Sequence, residues 1–174
     1  MFGIEILAGW QARSISLQAD ALNFFGDATT YAITFVVLGM GLRARAWAEM
    51  AKGASLSLFR LWVIATTNQR FYNAEPPIDE IMGSIGLLAL ITNLFCAYLL
   101  FKFRSGDANM RSVWLCTRND AIANVAVICA GAGVSASQTA WPDLAVGAII
   151  ALISLWASVS IIKQAMAELK QVPA

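Results

Sequence analysis

Residues 16–27 read SLQADALNFFGD, and residues 114–120 read WLCTRND. The first run places Asp20, Asn23 and Asp27, and the second places Cys116 and Asp120, in segments that are otherwise apolar. At steps of three and four, Asp20, Asn23 and Asp27 share one helix face. Cys116, Asp120 and Asn124 repeat the pattern at steps of four. Ionisable groups are costly at membrane depth, so a helix that carries them there is read first as lining an ion or proton pathway.

Composition supports that setting. The chain is 59% hydrophobic and 13% charged, well below the roughly 25% charged residues of an ordinary soluble domain. The net charge of +1 comes from basic residues gathered in short linkers, and it forms no nucleic-acid-binding surface. Stretches of about 20 apolar residues, enough to cross a bilayer, fall at residues 17–42, 47–68, 81–103, 113–134 and 144–162. Residues 1–12, MFGIEILAGWQA, are apolar over about half a span and lack the basic start and small-residue cleavage pattern of a signal peptide. They read as the end of a further helix. The expected fold is therefore all-α: an integral membrane helical bundle of five full transmembrane helices plus a partial first one, in a single domain over residues 1–174.

The linkers orient this bundle. Arg43, Arg45 and Lys52 follow the first full span, Lys102, Arg104 and Arg111 the third, and Lys163 and Lys170 the fifth. By the excess of basic residues on the inner side, these segments are cytoplasmic. The alternate linkers carry Arg13 and Arg70 together with Glu75, Asp79, Glu80 and Asp143. The expectation is a multi-pass protein of the cell membrane with its C-terminus in the cytoplasm. Punctuation agrees, since AEPPIDE (74–80) is a turn leading into an acidic first helical turn, and TAWPD (139–143) puts Pro142 at the start of a helix.

Asp27 lies about ten residues into a helix entering from outside, and Asp120 about nine into one entering from the cytoplasm. At roughly 1.5 Å per residue both reach the middle of a core about 30 Å thick. Two oxygen-bearing stripes converging there supply up to four side-chain ligands to a divalent cation, and carboxyls so placed hold protons until a cation replaces them. The competing readings are structural: Asn23 and Asn124 hydrogen-bond between helices, and Asp20 caps the helix after the SIS turn. Arg60, in SLSLFRLWV, is either a charge facing a water-filled lumen or the partner of a carboxylate on another helix. Arg118 sits about 200° around the helix from Cys116 and points away from the stripe. Cys96 and Cys129 lie on apolar backgrounds that suit packing, and three cysteines make no disulfide framework. The absence of histidine removes the commonest zinc ligand and the usual proton switch.

The segment EILAGWQARSISLQADALNFFGDA (5–28) resembles the first-to-second helix passage of the cation diffusion facilitator transporters, whose second helix usually reads A-D-A-x-H-x-x-x-D. Residues 109–134, NMRSVWLCTRNDAIANVAVICAGAGV, resemble that family's fifth helix, where H-x-x-x-D is followed by a small or amide residue. The resemblance extends over essentially the whole chain. It implies metal ligands at Asn23 and Asp27 on one helix and Cys116 and Asp120 on the other, with both family histidines replaced. It further implies an antiporter that exports divalent metal ions in exchange for protons, generally as a homodimer. Against the family pattern, the first half of the first helix and the cytoplasmic C-terminal domain are expected to be missing.

The transported ion is a substrate, and no cofactor is expected. If Cys116 joins the ligands, the mixed set favours zinc, cobalt or cadmium; without its sulfur, the oxygen ligands suit manganese or iron(II). The alternative reading is a non-transporting degenerate paralogue or partner subunit whose buried polar residues only fasten helices together. No nucleophile–base pair, phosphate loop or cofactor fingerprint points to an enzyme.

Overall fold

The computed structural model describes residues 1–37, 40–72, 75–101 and 108–171, and for residues 108–116 the helical backbone alone. The described residues form six helices: α1 (Phe2–Gln11), α2 (Ile15–Val37), α3 (Leu42–Tyr72), α4 (Asp79–Phe101), α5 (Ala108–Ser137) and α6 (Trp141–Gln171). The linker residues Lys102 and Arg104 lie outside the described residues.

The helix ends follow from local chemistry. α1 stops because Arg13 turns into the left-handed region at φ 56°. The Ser14 amide then donates to the Gly9 carbonyl (2.9 Å) and the Arg13 amide to that of Trp10 (3.2 Å), which satisfies two otherwise open acceptors in the Schellman pattern. α2 begins at once, and its start is capped from across the bundle. Asp143, in the first turn of α6, accepts the Ile15 amide (2.7 Å), the Ser16 amide (3.0 Å) and the hydroxyls of Ser14 (2.7 Å) and Ser16 (2.6 Å). Ser14 Oγ accepts the Leu17 amide at 3.1 Å. Asp20 thus lies inside α2, and Asp143 and Ser14 supply the cap. α4 begins after Pro76 and Pro77 with Asp79 and Glu80 in its first turn, where carboxylates offset the helix dipole.

α2 is the hub: it packs against α1, α3, α5 and α6, while α3 runs along α6 and α4 along α5. Close approach of α6 requires glycine. A Cβ at Gly147 would stand 2.6 Å from Ile15 Cγ2 on α2, and one at Gly53 of α3 would stand 2.7 Å from Ile162 Cγ1. Ile15, Leu17, Val63, Met82 and Val127 fill the centre.

Polarity is distributed inside out. Glu5, Gln18, Asp20, Lys52, Arg60, Asn93, Asn124 and Asp143 are buried, whereas Leu87, Leu88, Ile91, Leu94 and Phe95 on α4 and Ile149, Leu152, Ile153 and Trp156 on α6 are exposed. A water-soluble bundle would reverse both sets; a belt of this kind suits hydrocarbon. Among the described residues, Asp79–Phe101, Thr117–Ser137 and Trp141–Ala167 are long and apolar enough to cross a membrane.

Candidate functional site

α2 and α5 bring Asp27 and Asp120 together: their carboxyl groups act directly on one another, and both side chains are half-buried. A hydrogen bond between them needs a proton on one of the two groups, because ionised carboxylates are acceptors only. The contact exists because Asp27 lies on the α2 face turned towards α5, one stripe with Asp20 and Asn23 at helical spacing.

Asn23 sits one turn before Asp27 and is half-buried. Its Oδ1 accepts the Ser154 hydroxyl of α6 at 2.8 Å, so the amide is oriented from a third helix. The side chain of Cys116 lies outside the described residues. Among the described residues, no three of His, Cys, Asp and Glu converge on a point that could hold a metal ion. The described donors are thus the Asp27–Asp120 pair, with the Asn23 amide one turn away.

Cations approach this pair from α3. Lys52, Leu56, Arg60 and Val63 form one buried stripe at steps of four, four and three. Arg60 and Lys52 both act electrostatically on Asp27. The Arg60 guanidinium donates to Ser158 Oγ of α6, while its Nε has no partner among the described residues. Gly26, the residue before Asp27, lies against this stripe: a Cβ there would stand in ordinary van der Waals contact, 3.6 Å from Arg60 Nη2 and Leu56. Lys52 is paired with Glu49. Arg60 therefore faces the carboxylates. Arg118 is exposed and donates to the Asn119 side chain at 3.3 Å, directed away from the pair as its helical angle requires.

A second polar layer lies on the other side. Asn93 Nδ2 of α4 donates to Asn124 Oδ1 of α5 at 2.8 Å, and Asn124 Nδ2 donates to Asp20 Oδ2 of α2. Asn124 thus joins three helices with its amide committed at both ends. Glu5, fully buried on α1, acts electrostatically on this layer through Asp20 and on the pair through Asp120. The stripes at residues 20–27 and 116–124 carry no hint of Glu5 or Asn93. The available signal was a lone polar residue in an apolar run, in MFGIEILAGW and in ALITNLFCAYLL.

The family model described as the cation efflux transmembrane domain matches residues 1–170. The chain is similar to the "Cadmium, cobalt and zinc/H(+)-K(+) antiporter" of Bacillus subtilis, at 22% identity over 94% of this chain and 57% of that protein. It is also similar to the "Zinc transporter ZitB" of Yersinia pestis, at 23% identity over 96% of this chain and 55% of that protein. A third relative is the "Metal cation efflux system protein CzcD" of Cupriavidus metallidurans, at 25% identity over 87% of this chain and 51% of that protein. The chain spans about half the length of these relatives.

Proposed function

This chain belongs to the cation efflux family, whose members are membrane transporters and not enzymes, and from that premise we propose that it exports a divalent metal ion in exchange for protons. The observation that carries this reading is the carboxyl pair, Asp27 of α2 and Asp120 of α5, brought against one another inside a bundle whose outer surface is apolar. A divalent cation displaces the shared proton and takes both oxygens, so binding metal and releasing a proton become one event.

Asn23, oriented by Ser154, and Cys116 complete the proposed ligand set with Asp27 and Asp120. An amide oxygen, two carboxylates and a thiolate favour zinc, cobalt or cadmium, the ions named for the relatives. The proposed setting is the cell membrane with a cytoplasmic C-terminus and a homodimeric assembly. Because Asp27 and Asp120 sit on different helices, a small separation of α2 from α5 opens the ligand set, and alternating access needs such a step.

A second reading, a non-transporting membrane subunit, is favoured by the tie from Asn23 to Ser154 and by Asn124 being spent between Asp20 and Asn93. Metal-driven proton flux in proteoliposomes separates the two. Flux with zinc, cobalt or cadmium in the parent chain and none in the Asp27→Ala, Asp120→Ala double variant is expected. Absence of flux with any divalent ion, from a chain shown to be inserted, would favour the subunit reading.

A further inference from the structure

Glu5 of α1 and Asp20 of α2 are both 0% exposed. Among the described residues neither Glu5 oxygen has a hydrogen-bond partner, and Asp20 Oδ1 has none either, while Asp20 Oδ2 is held by Asn124. An acceptor so buried and unpartnered is costly, and more so if charged. Three such oxygens on two neighbouring acids mark a place that takes a ligand.

The charges on hand narrow the choice. α1 packs against α2 and α4. From α2 the facing titratable group is Asp20; α4 contributes the uncharged Asn93 through Asn124. Asp120 of α5 and the amino group of Met1 also act on Glu5. Arg60 and Lys52 act on Asp27, so the bundle's inner cations serve the other pair. Two carboxyls in a low-dielectric interior cannot both be ionised, and the smallest ligand that relieves them is a proton. A divalent cation would need further oxygen or nitrogen ligands, and the Asn124 amide nitrogen, being a donor, is turned towards Asp20.

We propose that Glu5 and Asp20, with Asp20 oriented by Asn124 and Asn93, form a proton-binding site separate from the Asp27–Asp120 pair. The proposal rests on the transport reading above. The two sites are linked by charge, since Asp20 acts on Asp120 and Asp120 acts on Glu5. A cation arriving between Asp27 and Asp120 lowers the cost of ionising Glu5 or Asp20, so a proton leaves there, and re-protonation there helps to expel the metal. By reciprocity each ligand weakens the other by the same factor.

The test is zinc titration calorimetry on the purified full chain in lipid, repeated in buffers of different ionisation enthalpy to count protons released per zinc. Glu5→Gln and Asp20→Asn are each expected to bind zinc and to release fewer protons than the parent. Unchanged release, or loss of zinc binding in both variants, overturns a separate proton site. If the parent binds no divalent ion, the transport reading fails by itself, and the Glu5–Asp20 pair is then judged, in a chain that also carries Asp27→Asn and Asp120→Asn, by the infrared carbonyl band of a protonated buried carboxyl. Loss of that band in Glu5→Gln and Asp20→Asn supports the pair; its persistence in both overturns it.

Discussion

At the scale of single residues, the proposed metal site is a contest for two carboxylates. Arg60 is a permanent cation buried among α2, α3 and α6, attracted by Asp27 and tied to Ser158. A metal ion binding between Asp27 and Asp120 must do so against that charge, because like charges repel strongly where water does not screen them. Arg60→Met keeps the length and removes the charge. It is expected to tighten zinc binding on the order of tenfold, measured by titration of the purified chain; unchanged affinity would mean that Arg60 serves packing only. The sequence displayed Asp27, Asp120 and Asn23 as helical stripes, because 3.6 residues per turn makes spacing visible in one dimension. It left Arg60 undecided between a lumen and a partner, since which helix faces residue 60 depends on how α3 is rotated. Glu5 and Asn93 were hidden for a related reason: each is alone on its own helix and gains meaning only from neighbours on another.

At the scale of elements, two close crossings fix α6. Gly147 meets the start of α2 at Ile15 and Ser16, and four residues earlier Asp143 caps the same helix. The cap and the crossing together set where α2 begins and hence where Asp20, Asn23 and Asp27 stand along it. Gly147→Leu should force α2 and α6 apart, costing about 1–3 kcal/mol as overpacking does. The expected outcome is a lower melting temperature of the chain in detergent, together with weaker zinc binding, whereas a substitution at Gly3, which has open space around it, should leave both unchanged. The sequence announced the helix start at Pro142 but not the task of Asp143, because a cap supplied from 127 or more residues away leaves no local pattern. It also placed the end of the last span at residue 162, where apolar residues thin out, while α6 continues to Gln171. A helix of 31 residues is about 46 Å long, more than the roughly 30 Å of hydrocarbon, so polar residues extend it beyond the apolar layer.

At the scale of the whole molecule, the apolar exterior and polar interior make a specific claim about surroundings. Ile91 and Ile153 are 56% and 64% exposed, yet they should be out of reach of water. In a chain with Cys96, Cys116 and Cys129 changed to Ala, Ile91→Cys and Ile153→Cys should resist a membrane-impermeant maleimide in liposomes, and Glu75→Cys should react. Rapid labelling of the first two would place α4 and α6 at an aqueous surface. What the sequence determined by itself was everything carried by local composition and period: the all-α class, the apolar runs, the turns at Pro76 and Pro142, and the acidic stripes on α2 and α5. The tertiary structure decided which stripes meet. It set Asp27 against Asp120, turned Arg60 towards them, committed Asn124 between Asp20 and Asn93, and left Glu5 buried without a hydrogen-bond partner among the described residues. The physical reason is that periodicity tells which side chains share a face, whereas partnership depends on the rotation and depth of each helix against its neighbours, and those are fixed by glycine crossings and long-range caps that no single stretch of sequence contains.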